Sequence, residues 1–209
     1  MLRSRMRTAL TVIDKELTLA KAAVKKRGKK ISCRKGCSSC CNLLVEVVWE
    51  EALELATWLN DAPPHLQEPI LSKLTAAVRE RRRLFGKRKN TVRFKQPVLG
   101  DFSMPEYLFS DYFYSATRTC PFLIDGSCSA YKARPSACRL HLVTSPADNC
   151  SASSDQSSKI VVPREITQVR KRVETVVLEA QDDGRWGELS IMVSLARQAI
   201  KRRRQSPLP

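Results

Sequence analysis

The sequence predicts a mainly α protein, a small helical domain with a cysteine-rich loop, a short β-hairpin and additional N- and C-terminal helices. Two observations support this fold class: several segments repeat apolar residues at the helical period, and most of the 8 cysteines fall in two groups beside turn-forming residues. A chain of 209 residues can bury a sizeable core. We therefore expect that the chain does not need a metal merely to fold.

Five segments have the apolar stripe of an amphipathic helix. They are residues 5–25, 49–60, 68–84, 164–181 and 186–203. A β-branched run at 43–48 predicts a short strand, and the Ser- and Asp-rich residues 145–159 predict an exposed linker. The domain organisation expected from these elements is a basic N-terminal helix (1–30), a cysteine-cluster domain (31–145) and a C-terminal helical hairpin (160–204).

The formal net charge of +16 is concentrated in three places. Lys and Arg dominate residues 1–30 and 79–95, and a basic run, 201–204, lies near the end of the sequence. Such runs attract nucleic acid or another polyanion, and the attraction is sensitive to salt. The alternative is that they are ordinary solvated helix faces.

Neither a secretory signal nor an apolar run of about 20 residues is visible, so we expect a cytoplasmic protein without a membrane span. Thiols in that compartment are usually reduced. The adjacent residues Cys40 and Cys41 also cannot readily bridge each other. Disulfides are therefore a poor explanation for the cysteines.

The first cysteine group has the spacing Cys33-x3-Cys37-x2-Cys40-Cys41. Thiolates bind soft and borderline metals, and close spacing directs several of them to one centre at small entropic cost. Gly36 permits the tight backbone turn that such a loop needs. We interpret this segment as a metal-binding loop.

The second group has the spacing Cys120-x7-Cys128-x9-Cys138. Asp125-Gly126 predicts a hairpin turn that returns Cys128 towards Cys120, and Pro135 suits the start of a short helix that carries Cys138. Neither group alone offers a complete supported site, so we expect both to serve one centre or two adjacent ones. Cys150 lies outside both motifs and is not expected to contribute.

The number of thiols favours iron–sulfur over zinc. A structural zinc site usually closes on four ligands from two short pairs, whereas neighbouring cysteines can bind different irons of a polynuclear cluster. A standard iron–sulfur cluster takes four cysteines. Seven candidates then mean either spare thiols or more than one metal. The expected metal ligands are Cys33, Cys37, Cys40, Cys41, Cys120, Cys128 and Cys138.

The sequence resembles the YkgJ-type cysteine-cluster family, whose core is C-x2–3-C-x2-C-C. The matching segments are Cys33 to Glu51, Cys120-Pro-Phe-Leu, Asp125-Gly-Ser-Cys128, Tyr131, Arg134-Pro135 and Cys138-Arg139. The resemblance implies a zinc- or iron-chelating bacterial cytosolic protein. The cofactor expected is an iron–sulfur cluster of the 4Fe–4S type, with zinc as the alternative. A similar module in the flagellin lysine N-methylase makes protein modification a possible role.

Four further residues lie beside the second group. Arg134 and Arg139 are expected to stabilise an anionic thiolate cluster and tune its potential, a role that the resemblance supports. The alternative is that they are ordinary surface arginines. Tyr131 is expected to cover the site or to pack in the core. His141 follows Cys138 by three residues and can supply a nitrogen ligand, although a structural histidine is the commoner outcome.

The sequence thus predicts a metal-binding protein with a redox, sensing or protein-modification role. The alternative is a zinc-stabilised module that binds RNA or another polyanion through the basic segments. The aromatic stretch 102–114 is expected to shield the metal centre from water, and the alternative is a base-stacking surface beside the basic segment 79–95. No phosphate-binding loop, nucleophile elbow or supported carboxylate pair points to a particular substrate or protein partner.

Overall fold

The computed structural model describes residues 2–85, 92–93, 119–151, 154 and 159–205, and within these it omits the side chains of 2–4, 81–85 and 92–93. The predicted mainly α fold is confirmed. The described residues form six α-helices: α1 (Leu2–Lys26), α2 (Trp49–Asp61), α3 (Pro64–Phe85), α4 (Ser136–Leu140), α5 (Arg164–Glu179) and α6 (Leu189–Gln205). Most of the basic segment 79–95 and all of the aromatic stretch 102–114 lie outside the described residues.

A small antiparallel sheet joins distant parts of the chain. Its strand order is β1 (Glu46–Val48), β5 (Trp186–Glu188) and β2 (Val92–Arg93), with Gly187 of the central strand opposite both Val47 and Val92. The prediction that the last helix begins at residue 186 is wrong, because the backbone of 186–188 pairs with β1 and β2 before α6 starts. The strand predicted over 43–48 is confirmed only for the part that forms β1.

The predicted hairpin is present at the second cysteine group. Strands β3 (Leu123–Ile124) and β4 (Ser127–Cys128) pair antiparallel. The two turn residues, Asp125 and Gly126, have positive φ angles of 48° and 70°. That backbone is the one for which an Asp-Gly pair is favoured in a two-residue hairpin loop.

The apolar core consists of two clusters. In the first, α1 packs on α5 through residues such as Ile13, Ile166 and Val173. In the second, α2 packs on α6 and encloses Phe122 of the hairpin segment. Cys33 packs against the first cluster, whereas Cys120 and Cys128 pack against the second. The cysteine-rich part of the chain therefore lies where the two clusters meet.

Buried carboxylates on α2 connect the elements around this junction. Glu50 accepts hydrogen bonds from the backbone N–H groups of Asp182 and Asp183, at 3.0 and 3.1 Å. Glu54 forms an ion pair with Arg7 of α1 at 3.2 Å. These contacts fix α2 relative to both the N-terminal helix and the turn before β5. None of the helices in the described ranges combines the length and apolar character of a membrane-spanning segment.

Candidate metal centre

The first cysteine group lies on a loop and a short 3₁₀ helix. Gly36 has a positive φ of 88°, and the N–H of Cys37 donates to the carbonyl of Arg34 at 3.0 Å, so the predicted tight turn is formed. The sulfur of Cys33 accepts a hydrogen bond from the N–H of Val143 at 3.4 Å. This contact holds the start of the group against the chain that follows α4.

Cys40 and Cys41 lie on the 3₁₀ helix Ser39–Asn42. The carbonyl of Cys41 accepts a hydrogen bond of 2.7 Å from the N–H of Cys120. This bond joins the two cysteine groups directly, although they are far apart in the sequence. The predicted convergence of the groups therefore has a backbone basis.

The remaining cysteines of the second group are held by the hairpin and by α4. Cys128 lies on β4 opposite Leu123. Cys138 lies on α4, which begins immediately after Pro135, as the sequence predicts. The N–H of Ser136 at the start of this helix donates to the carboxylate of Glu51 at 2.7 Å. Because that carboxylate also accepts from the N–H of Val48 at 3.3 Å, Glu51 fixes α4 to the N-terminus of α2.

The structure brings all seven predicted ligand residues to one cavity of about 100 Å³. This volume is several times the space that one water molecule needs. All eight cysteines of the chain carry free thiols. In the described part of the chain, no three His, Cys, Asp or Glu side chains are already arranged to hold a metal ion.

Burial controls the ionisation of these thiols. It raises the pKa of Cys120 to about 12 and that of Cys138 well above its usual value. Cys40 behaves differently, because a hydrogen bond from the Cys41 thiol lowers its pKa to about 7. Buried thiols remain protonated until a cation replaces their protons. Among the thiols whose pKa is shifted, Cys40 is therefore the one that ionises most readily.

Cationic side chains surround the cavity. Lys21 and Arg34 line it together with Arg134. The Arg134 guanidinium lies 4.0 Å from the centre of the Tyr131 ring, and its Nε is buried without a hydrogen-bond partner in the described residues. Positive charge at these positions favours an anionic thiolate cluster. Arg134 thus lies where the sequence analysis expects it.

The side chain of Arg139 lies away from the cavity. It is only 3% exposed and forms an ion pair with Asp14 of α1. The same guanidinium donates to the carbonyls of Lys132 and Arg134, at 2.6 and 2.8 Å. Arg139 is not among the residues that line the cavity. Its contacts instead hold the segment between β4 and α4 against α1.

His141 follows the end of α4 and lines the cavity. Its Nε2 atom is buried and has no hydrogen-bond partner in the described residues. Burial, with a smaller contribution from Arg170, lowers the pKa of the ring and favours the neutral form. Neutral imidazole is a metal ligand, so His141 is a nitrogen donor beside the thiols.

Three residues near the site have no role assigned from the sequence. Lys21 lies on α1, outside the cysteine motifs, and lines the cavity. Glu51 ends the segment that carries the family resemblance, and its contact with Ser136 appears only in the tertiary fold. Cys150 is buried at the end of a 3₁₀ helix, Ala147–Cys150, so the exposed linker predicted over 145–159 is wrong at this position. Its polar neighbours in the sequence gave no signal of burial.

The helical fold and the shared cavity define a small cysteine-cluster domain with added helices. The family model CxxCxxCC, described as "Putative zinc- or iron-chelating domain", matches residues 32–160. Because this match covers more than half of the chain, the protein belongs to that family. The family relationship predicted from the motifs is therefore confirmed, and it supports the binding of zinc or iron. Comparisons with curated proteins and with solved structures gave no significant match.

Proposed function

We propose that this protein binds an iron–sulfur cluster of the 4Fe–4S type and uses it in a redox, sensing or protein-modification role. The observation that carries the proposal is the convergence of seven thiols from two distant segments on one cavity. Thiolate is the ligand type that iron–sulfur clusters use. The donor set of the cavity therefore fits this cofactor.

The number and spacing of the donors favour iron–sulfur over zinc. A single structural zinc ion is complete with four ligands and is usually closed by two separated pairs. Here the cavity has more thiols than one ion uses, and two of them, Cys40 and Cys41, are adjacent. An assembly with several metals accommodates these donors better than one ion.

The surrounding residues have separate tasks in this proposal. The cysteines hold the cluster, and Lys21, Arg34 and Arg134 offset its negative charge. Tyr131 covers part of the cavity under the Arg134 guanidinium. A bound iron–sulfur cluster supplies electron transfer at a potential that depends on charge, hydrogen bonding and solvent exposure.

Purification without oxygen tests the choice of metal. We expect brown protein with broad visible absorption and with iron and acid-labile sulfide in equal amounts. Colourless protein that contains zinc and no sulfide would contradict the iron–sulfur proposal and leave the zinc alternative.

Cysteine substitution tests whether both groups bind metal. We expect Ser in place of Cys37, Cys40, Cys120 or Cys138 to lower the metal content measured by elemental analysis. Full metal retention in the Cys120 and Cys138 variants would show that the first group is a self-contained site. The proposed convergence of the two groups would then be wrong.

A second candidate function rests on the basic grooves beside the cavity. One groove is lined by Lys21, Lys25, Lys29 and Lys30 and reaches Cys33. A neighbouring groove adds Arg34 to the last two of these lysines. Clustered lysines of this kind bind phosphate-rich polyanions. This arrangement supports a metal-stabilised module that binds RNA or another polyanion.

A further inference from the structure

Cys150 is buried against the first cysteine group. Its residue is 3% exposed and ends the 3₁₀ helix Ala147–Cys150. This helix packs on the 3₁₀ helix Ser39–Asn42, which carries Cys40. The hydroxyl of Ser39 lies 3.4 Å from a carboxylate oxygen of Asp148 and connects the two helices. A thiol that the sequence places in a linker is thus part of the packed site region.

The chain that leads to Cys150 also contacts the other end of the first group. The sulfur of Cys33 lies 3.4 Å from the N–H of Val143 and 3.5 Å from the carbonyl of His141. The N–H of Ser32 donates to the carbonyl of Val143 at 2.8 Å. Residues 141–150 therefore run beside the loop that carries Cys33, Cys37 and Cys40.

The electrostatic neighbours of Cys150 agree with this placement. Burial raises the pKa of its thiol to about 11, and the thiols of Cys33, Cys40 and Cys37 contribute to the same shift. No cysteine of the second group is among these contributors. The thiols that contribute to the raised pKa of Cys150 therefore all belong to the first group.

The other four cysteines lie around the hairpin, and Cys40 is a neighbour of this set as well, because it contributes to the raised pKa of Cys120, Cys128 and Cys138. The N–H of Cys120 donates to the carbonyl of Cys41 at 2.7 Å, and Cys128 returns beside Cys120 through the β3–β4 turn. The pKa of Cys138 is raised first by burial and then by Cys120, Cys40 and Cys128. Cys120 and Cys128 also pack against the second apolar cluster, whereas Cys33 packs against the first.

We propose that the eight cysteines form two neighbouring four-thiolate metal sites. The first site contains Cys33, Cys37, Cys40 and Cys150, and the second contains Cys41, Cys120, Cys128 and Cys138. This inference rests on the proposed metal binding and specifies its ligands. Four thiolates are a complete set for either a standard iron–sulfur cluster or a structural zinc ion. With Cys150 included, neither site lacks a ligand.

The division assigns the adjacent residues Cys40 and Cys41 to different sites. Successive side chains on a 3₁₀ helix point about 120° apart, because the helix has about 3 residues per turn. The two thiols share a hydrogen bond, and side-chain rotation from this arrangement turns one towards the Ala147–Cys150 helix and the next towards the hairpin. Of the proposed ligands of the first site, Cys150 alone does not line the shared cavity. The first site thus lies on the cavity side nearest the Ala147–Cys150 helix.

Metal content of single and double variants tests this division. Full-length wild type, Cys150→Ser, Cys138→Ser and the double variant are purified without oxygen, with Ser151→Ala as the neighbouring control. We expect each single variant to keep about half of the wild-type metal, the double variant to lose nearly all of it, and the control to match wild type. Full metal content in Cys150→Ser would overturn the division without affecting the proposed metal function.

Cobalt titration of the reduced, metal-free full-length protein provides a second measurement that does not depend on cluster assembly in the cell. Tetrahedral thiolate-bound Co²⁺ absorbs strongly in the visible and near ultraviolet. We expect two equivalents for wild type and one for each single variant. Complete loss of binding in either single variant would indicate one joint centre and contradict the division. Wild-type protein that binds neither iron nor cobalt would contradict both the division and the proposed function.

Discussion

At the scale of single residues, Arg139 shows how a buried charge organises the second cysteine segment. Its side chain is 3% exposed, forms an ion pair with Asp14 and donates hydrogen bonds to two backbone carbonyls. Removal of the Arg139 side chain leaves these acceptors without their hydrogen-bond donor. Hydrogen bonds to charged groups contribute more to stability than those between neutral groups. We expect Arg139→Ala to lower the free energy of unfolding by about 2–4 kcal/mol in urea denaturation.

Arg172 provides the matched control for Arg139. It pairs with Glu16 on the same helix as Asp14, but 60% of its side chain is exposed. Exposed ion pairs contribute little, so Arg172→Ala should change the free energy of unfolding by about 0.5 kcal/mol or less. Similar losses in the two variants would contradict the role assigned to the buried contacts of Arg139.

Glu51 is the residue whose protonation should influence stability. Its carboxylate is buried and accepts from the N–H groups of Ser136 and Val48. Burial raises its pKa above the usual value, and the hydrogen bonds only partly oppose this. A raised carboxyl pKa in the folded state means that stability is greatest below the unfolded-state pKa and decreases as pH rises through the folded-state pKa.

The variant Glu51→Gln tests the direction of this change in stability with pH. It keeps an oxygen acceptor but cannot ionise, so the stability of wild type should fall relative to the variant as pH rises from about 4.3, the usual pKa of glutamate. Urea denaturation of both proteins across mildly acidic to neutral pH measures the difference. Glu51→Ala is the control for the lost acceptor and should be the least stable of the three. A difference that stays constant with pH would contradict the raised pKa.

At the scale of secondary-structure elements, the turn between β3 and β4 allows a prediction about backbone strain. Gly126 has a φ of 70°, and a methyl group added there would meet no atom within 4 Å. Gly126→Ala therefore introduces backbone strain without a clash, and we expect it to cost about 1 kcal/mol. Because Cys128 follows this turn, weaker metal retention should accompany the loss of stability.

Asp125→Asn is the matched substitution in the same turn. Asn tolerates the left-handed backbone that Asp125 adopts at φ 48°. The variant should therefore keep both the stability and the metal content of wild type. Thermal unfolding and elemental analysis measure the two quantities. Equal effects of the two substitutions would show that the turn conformation is unimportant for the site.

The sequence predicted those elements that a pattern within a single short segment determines. Apolar periodicity indicated α1, α2 and α5, and an Asp-Gly pair indicated the hairpin turn. Strand β5 was missed because its three residues precede a helix without interruption, and only pairing with β1 and β2 makes them extended. The burial of Cys150 was missed for the same reason, since its packing partners lie on a distant 3₁₀ helix.

At the scale of the whole molecule, the charge distribution predicts where a polyanion would bind. Lys25, Lys29 and Lys30 line the groove beside the cysteine cavity. Their joint replacement by Gln should weaken heparin or RNA binding and reduce its salt dependence, because each phosphate contact contributes to the salt slope. Replacement of Arg164, Lys171 and Arg172 on α5 removes the same charge elsewhere and is the control.

A second variant tests the basic segment 79–95 that the sequence analysis selected. Neutralisation of Arg81, Arg82, Arg83, Lys87 and Arg88 should also weaken polyanion binding if this segment contributes. Salt-dependent fluorescence anisotropy with a labelled RNA measures both variants. Affinity that does not change between low and moderate salt would contradict polyanion binding by either set of basic residues.

The hydrogen bond between the Cys41 carbonyl and the Cys120 amide bears on how relatives of this protein can diverge. It holds together the two points at which the intervening chain leaves and rejoins the cysteine cavity. For a flexible connection, doubling the number of residues costs only about 0.6 kcal/mol. Because α2 packs in the second apolar cluster and Glu51 joins it to α4, family members can gain or lose segments between the two motifs outside this helix while the thiols keep their mutual arrangement. Variation in length should concentrate there, and the spacing inside each cysteine motif should stay nearly constant.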